Sequence, residues 1–123
     1  MSICVLCSDL IFATKIRSTA ESLAADVRLY SGTQRLLAGM LERPCALLIV
    51  DLSAAGDPFD LIEQVNRQPP EPGQRPTILA FASHVDQSAF ERAEQAGANA
   101  VWPRSRFSSQ LPGLLSGRVA VSG

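Results

Sequence analysis

The sequence predicts an α/β domain, a parallel sheet covered by helices on both faces, and three observations carry that prediction. Short apolar runs alternate with amphipathic stretches five times along 123 residues, which is the pattern of strand–helix–strand crossovers. The clearest run, Ala46-Leu47-Leu48-Ile49-Val50, is apolar on both faces, as a central parallel strand must be. The length suits one domain, and no repeat, low-complexity tract or composition break marks a second. A single domain is therefore expected over 1–123, with its core at about 3–115 and a loose tail at 116–123.

Each element has its own signal. Ile3 to Cys7 reads as a buried first strand. Ser8 or Asp9 offers an oxygen to cap the next helix, in which Phe12, Ile16, Ala20 and Leu23 recur at helical spacing. Val27 to Tyr30 is a short second strand. Ser31 and Gly32 lead into a helix carrying Leu36, Leu37, Met40 and Leu41, which Pro44 stops. The third strand ends abruptly at Asp51. Asp57 and Pro58 supply a cap and a first-turn residue for a helix with Leu61, Ile62 and Val65 inward. Pro69 to Pro76 has neither helix nor strand potential. Thr77 to Ala82 is the fourth strand. Asp86 caps a fourth helix with Phe90, Ala93 and Ala96 on one side and Gly97 at its end. Ala100-Val101-Trp102 is a short fifth strand, and Pro112-Gly113 is expected to break the last helix after about two turns.

Composition excludes several function classes. A hydrophobic fraction of 46% with 19% charged residues is globular, not disordered. Eleven basic against twelve acidic residues leave a net charge of -1, which gives no electrostatic footprint for nucleic acid or an anionic membrane. The run from Ala46 to Val50 is too short to span a bilayer, and no basic segment precedes the first apolar stretch as in a secretory signal. Three cysteines and one histidine make neither a disulfide framework nor a standard zinc site. A cytoplasmic location with reduced thiols is expected. Cys4-Val5-Leu6-Cys7 spells C-x-x-C, but inside a strand these two side chains point to opposite faces, so no redox or zinc role is expected of it. Cys45 reads as core packing. His84 is a lone loop histidine with no nucleophile to activate, and no enzymatic activity is expected.

In an open parallel sheet, ligands collect beyond the C-terminal ends of the strands. Those ends carry Cys7-Ser8-Asp9, Ser31, Asp51-Leu52-Ser53, Ala82-Ser83-His84 and Pro103-Arg104-Ser105. Each also has a simpler reading. Asp51 at a strand end caps a loop, Asp9 caps a helix, and Arg104 is a surface cation. Trp102 and Phe107 read first as core. The alternative exposes them, with Phe90 and Val101, on a face built from the fourth helix, fifth strand and last helix.

From Ile3 to about Leu115 the chain resembles the receiver domain of bacterial two-component response regulators. Leu47-Leu48-Ile49-Val50-Asp51-Leu52 resembles the receiver strand that ends in the phosphoacceptor aspartate. Gly56 falls where the following loop usually has glycine. Ala93-Glu94-Gln95-Ala96-Gly97-Ala98-Asn99-Ala100 resembles the family's fourth-helix exit, and Trp102-Pro103-Arg104-Ser105 its end of strand five. The resemblance implies a flavodoxin-like three-layer sandwich with strand order 2-1-3-4-5, and makes Asp51 the candidate phosphoacceptor.

The departures from the family pattern shape the functional expectation. The acidic pair that holds magnesium in the family falls on Cys7 and Ser8, with Asp9 one step further on. Magnesium wants oxygen ligands, so a thiol and a hydroxyl replace carboxylates poorly. The family's hydroxyl at the end of strand four is Ala82, with Ser83 adjacent. Its aromatic switch is Val101, its lysine is Arg104, and the proline after that lysine is Ser105. Arginine keeps the charge but is planar, bulkier and always protonated. Cys7, Ser8, Asp9, Ala82, Ser83 and Arg104 thus read as a vestigial pocket around Asp51 with no metal or cofactor, in which Arg104 pairs with Asp51. The expected function is a degenerate receiver acting through a protein partner or self-association, using the face that carries Phe90, Val101, Trp102 and Phe107. One alternative is an atypical working receiver, in which Asp51 accepts a phosphoryl group from a histidine kinase and Asp9 and Asp51 hold Mg2+. Another is a small-ligand module on the same rim. It is weakened by the lack of a glycine-rich phosphate loop, for which Ser31-Gly32-Thr33 is too short.

Overall fold

A computed structural model describes residues 1–67, 75–83 and 86–121. Ten elements alternate: β1 (Ser2–Leu6), α1 (Leu10–Ser22), β2 (Asp26–Tyr30), α2 (Thr33–Glu42), β3 (Leu47–Asp51), α3 (Pro58–Arg67), β4 (Thr77–Ala82), α4 (Gln87–Ala96), β5 (Ala100–Pro103) and α5 (Arg104–Leu115). The strands form one parallel sheet in the order β2-β1-β3-β4-β5, which is the flavodoxin-like architecture. β3, at the centre, is buried at all five positions, while the edge strand β2 is nowhere fully buried.

The alternation of side chains along parallel strands divides the core into two layers. Ile3, Val5, Cys7, Leu47, Ile49, Leu79, Phe81 and Trp102 face α1 and α5. Cys4, Leu6, Leu48, Val50, Ile78 and Ala80 face α2, α3 and α4. Cys4 and Cys7 therefore lie on opposite faces, as their spacing in a strand requires. Cys45 is buried in the layer that holds Cys4.

Local signals account for most helix ends. Asp9 Oδ1 accepts from Ile11 N at 3.0 Å and Phe12 N at 3.2 Å and so caps α1. Asp57 Oδ1 accepts from Asp60 N at 3.0 Å, and Asp86 Oδ1 from Ala89 N at 3.0 Å. Gly97 ends α4 with φ +121°, and a Cβ there would also collide with the Asn66 side chain. Two residues of the apolar helical patterns are exposed. Leu23 sits on the C-cap of α1 and is exposed, and Leu41 is exposed on the last turn of α2, whereas Leu36 and Met40 fill the buried face.

The C-terminal region departs most from expectation. α5 continues through Pro112 to Leu115. An interior proline costs about 3 kcal/mol of helix stability, but this helix buries Phe107, Leu111, Leu114 and Leu115. At about 1.5–3 kcal/mol for each large side chain, that burial outweighs the penalty. The tail is not loose as far as Val121. Arg118 N and Val119 N donate to Gly113 O at 2.8 and 3.1 Å, and Val119 and Val121 pack on the α1–α5 layer. Val119 occupies the space that a side chain at Gly113 would need, which accounts for the glycine.

Trp102 and Phe107 are fully buried. They are core residues and cannot belong to an exposed interaction face, whereas Phe90 and Val101 are half-buried. Of the stretch expected to be a loop, only Arg75 and Pro76 are described. Arg75 binds Asn66 Oδ1 at 2.7 Å, Asn99 Oδ1 at 3.0 Å and Gly97 O at 2.6 Å, tying the start of β4 to the end of α4. Pro69 to Gln74 and His84 lie outside the described residues. Among the described residues no helix is long and apolar enough to cross a membrane.

Candidate functional site

Strand register and side-chain alternation place Cys7, Asp51 and Phe81 on one face at the C-terminal rim of the sheet. Asp51 pairs in register with Phe81, and Leu6 with Val50. Asp51 is 1% exposed and is the only fully buried charged side chain among the described residues. Burying a carboxylate is costly unless it is paired and hydrogen-bonded, and its partners can be counted. Ser53 N donates to Oδ1 at 2.9 Å. The Cys7 thiol donates to Oδ2 at 3.7 Å. Arg104 Nη2 stands 3.5 Å from the same oxygen.

Arg104 is the first residue of α5, and extended Pro103 before it turns the chain at the rim. Its Nη1 also lies 3.7 Å from Asp9 Oδ2, so the guanidinium sits between two carboxylates. These separations mark ion pairing, not short directed hydrogen bonds. The cation has an aromatic seat. It lies 5.0 Å from the Phe12 ring centroid and 5.9 Å from that of Phe81. Phe81 stacks on Phe107 at 4.2 Å, and Phe12 leans on both rings. Such a bed attracts a cation through the ring quadrupoles and fixes the direction of the guanidinium plane. Nε of Arg104 is buried without a partner.

Cys7 completes the carboxylate's surroundings. Burial pushes its thiol up to about 11, and the neighbouring Asp51 charge adds to the effect. At neutral pH it is therefore protonated, with its one S–H shared between Asp51 Oδ2 at 3.7 Å and Asp9 O at 3.6 Å.

The remaining rim residues do other work. Asp9 divides its carboxylate between capping α1 and facing Arg104. Ser8 Oγ accepts from Ala55 N at 3.1 Å and ties the β1–α1 loop to the β3–α3 loop. Ala82 is buried and brings only a methyl group, and Ser83 is exposed. Val101 packs on the opposite layer. Gly56 has φ +89°, a conformation that suits glycine in the β3–α3 loop. The structure thus gathers Cys7, Asp9, Asp51 and Arg104, whereas Ser8, Ala82, Ser83, Phe90 and Val101 make no hydrogen bond or ion pair with the Asp51 carboxylate. The sequence reading missed the aromatic bed. Its signals were the parity of Phe81 with the strand-end carboxylate and the three-residue spacing of Phe107 from Arg104, nearly one helical turn. Among the described residues no three His, Cys, Asp or Glu side chains are grouped so as to hold a metal ion.

The sequence matches no family model and no curated protein. Its structure is similar to many solved ones. A putative response regulator from Chloroflexus aurantiacus superposes with a TM-score of 0.80 at 19% identity, covering 95% of each chain. A chemotaxis response regulator of Vibrio cholerae gives 0.77 at 13% identity, over 96% of this chain and 98% of the other. The receiver domain of NtrX from Brucella abortus gives 0.76 at 17% identity, over 95% and 96%. The chain therefore has the fold of response-regulator receiver domains.

Proposed function

We propose that this protein is a non-enzymatic, receiver-like signalling module that acts through protein–protein contact in the cytoplasm, without magnesium-dependent phosphorylation of Asp51. One observation carries the reading: the Arg104 guanidinium lies between Asp51 and Asp9, 3.5 and 3.7 Å from their oxygens. A receiver places a divalent cation and a phosphoryl group beside its acceptor aspartate. Here a tethered monovalent cation already neutralises that carboxylate. The donor set also fits magnesium poorly, because a protonated thiol stands beside Asp51 and magnesium prefers an oxygen octahedron. Phosphoryl transfer depends on metal-assisted charge neutralisation and positioning, and Ala82 has no hydroxyl to meet a phosphoryl oxygen.

Contact with a protein partner or a second copy is assigned to surface, not to the rim. Phe90 and Val101 keep partial exposure on the α4–β5–α5 side. Leu10 and Ile11, 83% and 86% exposed on the first turn of α1, add apolar surface beside Asp9.

Incubating the protein with a small phosphodonor and magnesium, then measuring intact mass, tests the reading. No adduct is expected, in wild type or in Asp51→Asn. A phosphoryl adduct present in wild type and absent from Asp51→Asn would establish the atypical working receiver instead.

A further inference from the structure

The net charge of -1 hides a separation of charge between the two faces of the sheet. On one side α1 and α5 carry Lys15, Arg17, Arg104 and Arg106 against Glu21. On the other, α3 and α4 with their caps carry Asp57, Asp60, Glu63, Asp86, Glu91 and Glu94 against Arg67 and Arg92. The basic side also holds an apolar knob. Leu10 and Ile11, on the first turn of α1, are the most exposed large apolar side chains among the described residues. Asp9 precedes them, and Lys15, hydrogen-bonded to Ser108 on α5, follows Ile11 by about one helical turn. The acidic side holds a groove. A cavity of about 190 Å³ opens between α3 and α4, lined by Phe59, Glu63, Arg92, Gln95 and Ala96. Phe59 is half-buried and Ala96 buried, and the Arg92 guanidinium lies over the Phe59 ring, 3.9 Å from its centroid.

We propose that the knob of one copy docks into the α3–α4 groove of the next, so that the protein associates with itself head to tail. The occupant is a second copy because the charges match at two scales. Basic α1–α5 surface meets acidic α3–α4 surface, and around the apolar centre Asp9 and Lys15 beside the knob answer Arg92 and Glu63 in the groove. Leu10 and Ile11 leave water for a site that already offers aromatic and methyl surface. Knob and groove belong to helices on opposite faces of the sheet. A two-fold dimer joins one patch to the same patch and cannot seat one in the other, so the contact is heterologous. A pair always leaves one knob and one groove free, and growth continues unless the rotation closes a ring. Two side chains in a short groove make a small interface, so association is weak and needs high protein concentration. The inference rests on the proposed function only in taking protein–protein contact as the mode of action. It does not depend on the state of Asp51.

Sedimentation velocity of the intact chain over a concentration series tests this. The mean mass is expected to rise with concentration past the dimer and to fall at high salt, which screens the charges. Ile11→Glu removes the knob and Glu63→Lys reverses a charge of the groove. Both positions are exposed, and circular dichroism checks that each variant keeps its fold. Each variant alone is expected to associate about tenfold more weakly than wild type. Mixed, they should form a one-to-one pair of wild-type affinity that grows no further, because Ile11→Glu keeps a sound groove and Glu63→Lys a sound knob. The wild-type series stands without either variant. A monomer at every concentration would overturn the proposal. So would a wild-type dimer that grows no further, or association that survives unchanged in Glu63→Lys, either of which marks a two-fold contact. A phosphoryl adduct on Asp51 would overturn the proposed function and leave this contact standing.

Discussion

The two faces of the sheet are packed with different materials. The α1–α5 face buries Phe81, Trp102 and Phe107, with Phe12 half-buried beside them, and among the described residues it alone holds a buried carboxylate at its rim. Among the described residues the α2–α4 face buries no aromatic ring. Its interior is aliphatic, with Leu6, Leu36, Met40, Leu48, Ile62 and Ile78 among its buried residues, and Tyr30 and Phe59 stand at its margin. The difference shows where polar chemistry can be built into a small α/β domain. On the α2–α4 side a guanidinium is seated at the margin, where Arg92 lies 3.9 Å from the Phe59 ring centroid, whereas on the α1–α5 side the rings are gathered at the rim and attract the guanidinium of Arg104 there. Asp51 points to the side whose rings seat a cation at the rim.

Truncating the aromatic face is expected to have the largest effect. Phe107→Ala should cost about 3–5 kcal/mol, against about 0.5–1.5 kcal/mol for Ile62→Val on the other face. Denaturant midpoints report both. Equal losses would mean that the aromatic bed carries no special weight.

The ion pair comes next. Arg104→Ala leaves a buried carboxylate short of its counter-charge, and with a third of the arginine side chain exposed the expected loss is about 2 kcal/mol. In an Asp51→Asn background the same change should cost about 1 kcal/mol less. Additive losses would show that Arg104 and Asp51 are neighbours without coupling.

A pH series separates the Cys7 contribution. The Cys7 thiol titrates at about 11 in the fold against an ordinary value of 9.0. Its stabilisation is therefore complete below pH 9 and is lost as pH rises through 11, by about 2.7 kcal/mol in all. Cys7→Ala should flatten that alkaline limb relative to wild type. An unchanged slope would show that burial does not hold the Cys7 thiol protonated in the fold.

The smallest expected effect is at Asp9. Asp9→Ala removes the α1 cap and should cost about 1 kcal/mol, and Asp9→Asn, which keeps a capping oxygen, should restore most of it. Failure of asparagine to rescue would shift the weight from the cap to the contact with Arg104.

Much of this was legible in the residues. The apolar run ending at Asp51 and the caps at Asp9, Asp57 and Asp86 mark element boundaries because short-range hydrogen bonds decide them. The strand order followed from the receiver resemblance, since periodicity carries no information about which strands pair. Local propensity puts a break in α5 because it weighs Pro112 but cannot see Phe107, Leu111 and Leu114 finding a core. Trp102 posed the same problem: an aromatic near an edge strand reads alike whether it faces solvent or the next layer. At the site, residue types at the strand ends pointed to Cys7, Asp9, Asp51 and Arg104. The rings beneath Arg104 come from α1, β4 and α5, and only the tertiary fold brings them together.

The most direct measurement is the melting temperature of the unmodified protein across a magnesium titration into the millimolar range at constant ionic strength. A cation that binds the folded rim stabilises it by mass action. With Arg104 serving as the resident positive charge, the melting temperature is expected to stay flat in wild type. A saturable rise that disappears in Asp51→Asn would contradict this, by showing that a divalent ion displaces the guanidinium and takes its seat.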